Sequence, residues 1–493
     1  MNLRSEIKKL LKDIGPGHMS KTAYDTAWIA RLTDLEEPMG EKALQWLREN
    51  QLSDGSWGAE SPRYYHDRVI CTLAAMIALA KHGNATDSAR LIRAESVLGP
   101  YTNRLETDPV GATVGFEMIT PTLLQEVNQI NRIKTKNNNH NQILEKLIPY
   151  RSAKLAALPG RTINRSVTVA HSVEMAGPDG LHLIDIKHLQ EANGSVGHSP
   201  SATAYFIKYL DPENVTARNY LHQINEKGAV PNVAPFDVFE QAWTLWHLAL
   251  ADILDEELLT LCKPHLDALQ NAWQPGKGVG FAAEYTPNDG DDTSLTHETL
   301  SRYGRSVGID AVLRYEHVYY FRCFEFESTP SISTNIHVLG ALRHAGFHQD
   351  HPSVEKVLNF LKNVSTKGAY WHDKWHISPY YATSHAIIAA SGYANNLVKN
   401  AIKWICDTQN DDGSWGYYTP TAEETAYALQ SLVVCRRAGH QNIPKSAIVR
   451  GSAWLSCHAD PPYPPLWIGK CLYCPELVVR AGILSALVSS RGN

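Results

Sequence analysis

The chain has 493 residues with 46 basic and 51 acidic side chains, for a formal charge of −5. Its length suits two or three domains with sizeable cores, and 43% apolar with 20% charged residues excludes extensive disorder. The slightly acidic balance argues against a nucleic-acid partner or a polybasic membrane surface, and no apolar run approaches the roughly 20 residues of a transmembrane helix.

In chain order, residues 3–14 place Leu3, Ile7, Leu10, Leu11 and Ile14 on one face, which predicts an amphipathic helix. This opening segment lacks the continuous apolar core of a signal peptide. The eight cysteines are scattered, mostly in apolar stretches, and read as buried thiols of a cytoplasmic protein. Helical faces recur over 70–82, 237–250, 335–345, 354–362, 398–406 and 422–435. Turn clusters such as Asn137-Asn138-Asn139 and Asn288-Asp289-Gly290 separate them, and two-residue alternation is scarce. The expectation is an all-α protein. Cys471-Leu-Tyr-Cys474, with Cys457 and His458 upstream, is the one metal-like spacing, and it lacks a second well-spaced ligand pair.

One string repeats. Gln51-Leu-Ser-Asp-Gly-Ser-Trp57-Gly returns as Gln409-Asn-Asp-Asp-Gly-Ser-Trp415-Gly, each copy after a Trp-bearing helix. Asp-Gly supplies a turn, Gln reaches neighbouring backbone and Trp covers the next helix end, so the string reads as a clasp between helix hairpins. Repeated helix pairs of this kind can close into a toroid.

The chemically sharpest segment is Asp289-Gly-Asp291-Asp292. Three carboxylates this close cannot all ionise cheaply away from water, so repulsion and desolvation would keep a proton on. By itself the segment also fits a solvated turn or a calcium loop, although the further ligands of an EF-hand are missing.

These strings resemble the bacterial class II diterpene cyclases, halimadienyl (tuberculosinyl) diphosphate synthases among them. The likeness rests on the two clasps and on Ala23-Tyr-Asp25-Thr-Ala-Trp28-Ile, Val114-Gly-Phe-Glu117 and Phe236-Asp-Val-Phe-Glu-Gln-Ala-Trp243. Asp373-Lys-Trp375, Ala422-Glu-Glu-Thr-Ala-Tyr427 and Leu466-Trp-Ile-Gly-Lys470 extend it, so that it runs from residue 22 to about 483. It implies two α/α-barrels in βγ architecture: residues 1–24 as an N-terminal helix of the β domain, 25–225 as the γ domain and 226–493 as the β domain. The resemblance makes Asp289–Asp292 the DxDD acid, with Asp291 donating the proton and Asp289 and Asp292 holding its geometry. Halimadienyl diphosphate synthases carry Thr at the last place of this motif, whereas this chain keeps Asp292. His337 matches the position that hydrogen-bonds the acid, with a satisfied core histidine as the competing reading.

Further expectations follow from the resemblance. Aromatic faces would stabilise carbocations without offering a nucleophile. Trp243, Tyr285, Trp371, Trp375 and Tyr380 are candidate substrate contacts, alongside Trp246, Tyr319, Tyr320, Tyr381 and Tyr427. Lys374 and Lys470 would pair with phosphate oxygens or lie at the surface as snorkelling lysines. Glu106, Asp108 and Glu117 are the nearest match to the acidic segment that holds Mg²⁺ in the γ domain. The DDxxD string with which class I enzymes ionise a diphosphate is missing from the sequence. The implied reaction is cyclisation of geranylgeranyl diphosphate with the diphosphate retained, leaving a product for a downstream terpene synthase or phosphatase. Two alternatives remain at this point: a meroterpenoid cyclase acting on a prenylated aromatic acid, and a zinc-dependent prenyltransferase-like or prenyl-binding toroid.

Overall fold

A computed structural model describes residues 2–130, 144–158, 160, 162–177, 180–252, 255–325, 327, 329–440 and 442–491. The Asn137-Asn138-Asn139 cluster lies outside the described residues. The apolar stripes of the sequence become helices: Leu3–Asp13, Tyr65–His82, Asp237–Leu250, Ile332–His344, Pro352–Val364, Asn395–Asp407 and Ala422–Arg437 all fall on predicted segments.

Six helices pack each on the next and the last on the first: Asp237–Leu250, Gly290–Arg302, Ile332–His344, Pro379–Ala390, Ala422–Arg437 and Glu476–Ser490. This closed ring is buried on both sides. Every residue of Pro379–Ala390 is buried, whereas the outer helix Asn395–Asp407 buries only Val398, Ala401, Ile402 and Ile405. The N-terminal helix Leu3–Asp13 lies against Glu476–Ser490, and Leu3, Ile7, Leu10 and Leu11 join this first core. A second core draws on residues between Ala23 and Val230, with Cys471 added. There Ala23–Ala30, Tyr65–His82, Phe116–Asn128, Thr168–Ala176 and Pro200–Tyr209 close a second ring.

The repeated clasps do the tying. Backbone N–H of Trp57 donates to Thr72 Oγ1 at 3.0 Å, and its indole N–H donates to Leu47 O at 2.8 Å. Trp415 makes the same pair with Thr425 and Ile405. Gln51 and Gln409 each donate to their own turn and to the next outer helix, at Arg90 O and Ala447 O. The turn glycines Gly55 and Gly413 both sit at φ +96°, pressed against the backbone of Arg93 and Arg450, where a side chain would not fit. Three further clasps carry less of the motif. Trp371 donates to Thr383 and Leu361 O, Val196 N–H to Thr203, and Val279 N–H to Thr293.

An antiparallel hairpin pairs Trp467–Ile468 with Leu472–Tyr473. It is an exception to the all-helical expectation, and strands of two residues are too short to show an alternating pattern. No helix among the described residues is long and apolar enough to cross a membrane.

Candidate active site

Asp289 is the extended N-cap residue of Gly290–Arg302, and its Oδ1 accepts from the backbone N–H of Asp291 (2.9 Å) and Asp292 (2.8 Å). Gly290 must be small, because a Cβ there would lie 2.3 Å from Arg322 O. Thr293, next in sequence, is the hydroxyl partner of the Val279 clasp. The carboxylate triplet is thus pinned from both sides at the start of an inner helix.

Asp289 and Asp292 are buried, while Asp291, with a side chain 13% exposed, lines a cavity. Burial pushes the Asp289 carboxyl up to about 7 and that of Asp292 well above the ordinary carboxylate range, where the Asp289 charge adds to the effect. A raised folded-state pKa means stability present below the unfolded value near 4 and lost as pH rises through about 7. Asp289→Asn keeps the helix cap and removes this titration. Chemical denaturation at several pH values should therefore show the variant losing less stability than the parent between pH 4 and 7.

Behind Asp291, His337 Nδ1 lies 2.7 Å from Asp291 Oδ1, and His337 Nε2 lies 2.9 Å from His385 Nδ1. The His337 helix is held by Asp373, which accepts from Ile332 N–H (2.8 Å), Ser333 N–H (3.0 Å) and Ser333 Oγ (2.9 Å). Its second oxygen also takes the N–H of Trp375. Asp373→Ala should lower stability by about 2–3 kcal/mol in denaturant titrations, since it removes several bonds to one buried charge at a helix start.

The cavity holds about 180 Å³ of space that a water-sized molecule can reach. Its walls are aromatic: Phe239, Phe281, Tyr285, Phe324, Trp375, Trp467 and Tyr473 line it, and Val114, Thr168 and His171 reach in from the second ring. No lysine or arginine appears among the described lining residues.

The candidates from the sequence divide accordingly. Asp289, Asp291, Asp292, Tyr285 and Trp375 line the cavity. Trp243 stands one layer behind, stacked on Phe239 (4.1 Å) and edge-on to His337 (5.5 Å). Trp371 does not reach the cavity, because its indole is the clasp to Leu361. Tyr380 faces outward onto Trp404 (4.8 Å), and Tyr319 is 75% exposed. Lys374 is spent on Glu327 (2.9 Å) and Thr329 O (2.7 Å). Lys470 is neither a phosphate contact nor a surface lysine. It is fully buried, and its ammonium donates to Glu174 (2.6 Å), Ser199 (2.7 Å) and Ser201 (2.7 Å).

The expected metal carboxylates do not converge. Asp108 caps Tyr65–His82 through the N–H groups of Tyr65 and His66, Glu117 pairs with Lys154, and Glu106 is exposed. The carboxylates of Asp108 and Glu117 are thus engaged with other groups, and the three residues do not form a cluster of ligand atoms. Among the described residues, three potential ligands come together only at Asp67, Cys71 and Cys471. Cys457 is exposed, and neither it nor Cys474 joins that group.

A carboxyl triplet aimed into an aromatic cavity, at the start of an inner helix of a closed ring, can be compared with known proteins. The squalene-hopene cyclase C-terminal domain family matches residues 325–460. A type B diterpene cyclase of Mycobacterium tuberculosis is 44% identical over 95% of both chains. The chain belongs to the class II terpene cyclases. A (+)-kolavenyl diphosphate synthase of Herpetosiphon aurantiacus is 30% identical over 99% of this cyclase and 97% of its own length. The solved ent-copalyl diphosphate synthase of Streptomyces platensis superposes with a TM-score of 0.81 over 99% of both chains, at 28% identity.

Sequence reasoning missed His385, Phe239, Phe281, Trp467 and Tyr473 of the cyclase as site residues. Trp467 sits in a string already singled out, and Phe239 lies one turn before Trp243. For His385 the one signal is a lone histidine directly before the apolar run Ala386–Ala390.

Proposed function

We propose that this cyclase folds geranylgeranyl diphosphate into the aromatic cavity and protonates its terminal alkene from Asp291. The observation that carries this reading is the placement of Asp291, which faces an apolar hollow with a histidine at 2.7 Å behind it. Asp289 to Asp292 then act as the DxDD acid. The Asp291 O–H bond breaks, its proton goes to the less substituted alkene carbon, and a tertiary cation remains. The next double bond supplies electrons for the first ring, a further one closes the second, and loss of a proton or capture of water ends the cascade.

A neutral alkene is a very poor base, so the acid has to be strong and dry. Asp291 lies in the first turn of its helix, where the positive dipole end favours the carboxylate left behind by about 0.3–1 kcal/mol. Each aromatic face adds roughly 0.5–2 kcal/mol of cation stabilisation. The diphosphate takes no part in these steps, which makes the product a bicyclic diterpenyl diphosphate. An enzyme that ionises or hydrolyses that group would consume it. The free, mostly buried cysteines suit a reducing cytoplasm.

The relatives' names support a diphosphate substrate over a prenylated aromatic acid, since one is a kolavenyl and others are copalyl diphosphate synthases. Incubation with geranylgeranyl diphosphate, phosphatase treatment and mass spectrometry test the reading. A bicyclic C20 alcohol is expected, and recovery of unchanged geranylgeraniol would sink it.

A further inference from the structure

His385 lies behind His337, at the ring nitrogen opposite the one that meets Asp291. His385 is fully buried, stacks on Trp246 at 4.5 Å and touches Tyr381 at 4.4 Å. Its Nδ1 faces His337 Nε2 at 2.9 Å, while its Nε2 is buried with no hydrogen-bond partner. Around it, Tyr381 OH accepts from Trp243, Tyr427 OH donates to Glu423, and the His247 ring, 6.0 Å away and itself without a hydrogen-bond partner, makes no hydrogen bond to that Nε2. Burial holds its imidazole neutral, well below the usual range, so it carries one N–H.

That proton has two places to sit. On Nε2 it would be a buried N–H without an acceptor, the rarer and costlier kind of orphan. On Nδ1 it donates to His337 Nε2, which makes that nitrogen an acceptor and places the His337 proton on Nδ1, aimed at Asp291 Oδ1. The carboxyl proton of Asp291 is then excluded from Oδ1.

Resting on the reading of Asp291 as the acid, we infer that His385 is a positioning residue that fixes the His337 tautomer and so leaves the Asp291 proton on Oδ2, the oxygen His337 does not engage. The same arrangement supplies an N–H to the carboxylate formed when the proton leaves. With the opposite tautomer, His337 Nδ1 would accept the Asp291 proton itself, and the acid would point at the histidine instead of the alkene.

Three substitutions separate this role from packing. His385→Phe keeps the stacked ring and removes the donor, and should lower kcat on the order of 10²-fold with KM unchanged. His385→Asn places an amide N–H where Nδ1 was and should retain most of the rate despite its smaller size. His385→Asp offers an acceptor there and should be as slow as the Phe variant. Equal rates in all proteins, or equal losses in the Phe and Asn variants at matched melting temperatures, would overturn the role. Nitrogen-15 NMR of histidine-labelled protein without substrate gives a second readout: His337 should carry its proton on Nδ1, and a proton on Nε2 refutes the inference. Because that spectrum needs no turnover, it stands apart from failure of the substrate assignment, which would appear as a wild-type chain leaving geranylgeranyl diphosphate untouched.

Discussion

Asp291→Asn is expected to abolish cyclisation, with a fall in rate of about 10⁴-fold or more, since general acid catalysis supplies roughly 10²–10⁴ and here starts the whole reaction. The asparagine keeps the shape of the side chain and an oxygen for His337, and the helix cap belongs to Asp289, so folding should hardly change. Thermal melts of parent and variant should agree within about 1 kcal/mol of stability, as for substitutions that leave no cavity and no orphaned charge. Mass spectrometry of the dephosphorylated mixture checks the rate. A variant that keeps a tenth of the parent activity would remove Asp291 from the mechanism and leave the triplet as a helix start with no chemistry. Loss of activity with a large loss of stability would instead assign Asp291 to the fold.

Lys470→Met should have the largest effect on stability, about 3–5 kcal/mol, which is the usual result of leaving one member of a buried ion pair unpaired. Glu174 has one oxygen held by Lys470, Tyr24 and Ser201, and its other oxygen has no partner. Without the ammonium, a carboxylate would remain in a place that water does not reach. The pair also joins the two rings. Lys470 comes from the hairpin that brings Trp467 and Tyr473 to the cavity, while Glu174, Ser199 and Ser201 belong to the second ring. A fall of several degrees in melting temperature is therefore expected, and Lys470→Met/Glu174→Gln should recover part of it because the two effects are coupled. A phosphate-binding lysine would behave differently, with KM rising steeply and melting unchanged. That outcome would return Lys470 to the substrate site.

Local chemistry made much of this protein legible from residues alone. Helical periodicity located Asp237–Leu250 to the residue and Ala422–Arg437 nearly so, although both belong to the buried ring, and it found the outer helix Asn395–Asp407, which keeps a polar side. Asp-Gly turns with Gln and Trp at fixed spacing announced the clasps, since the φ of Gly55 and Gly413 is a requirement of the turn itself. Asp289-Gly-Asp291-Asp292 carried its own meaning, as capping and charge repulsion act between immediate neighbours.

Tertiary structure decided which side chains meet. In Pro379–Ala390 every residue is buried, so an apolar stripe no longer distinguishes the face turned inward from the face turned to the outer helices. Tyr380 and Tyr381, adjacent in sequence, take opposite sides: one lies on Trp404, the other beside His385. Trp371 and Trp375 part in the same way, one to a clasp and one to the cavity. The partners of Lys470 come from residues 174–201, nearly 300 positions away, and those of His337 from two other helices. Short-range forces wrote the helices, the turns and the carboxyl triplet into the sequence, whereas a ring buried on both faces leaves no polarity pattern to say which way a side chain points, and only closing the barrels settles it.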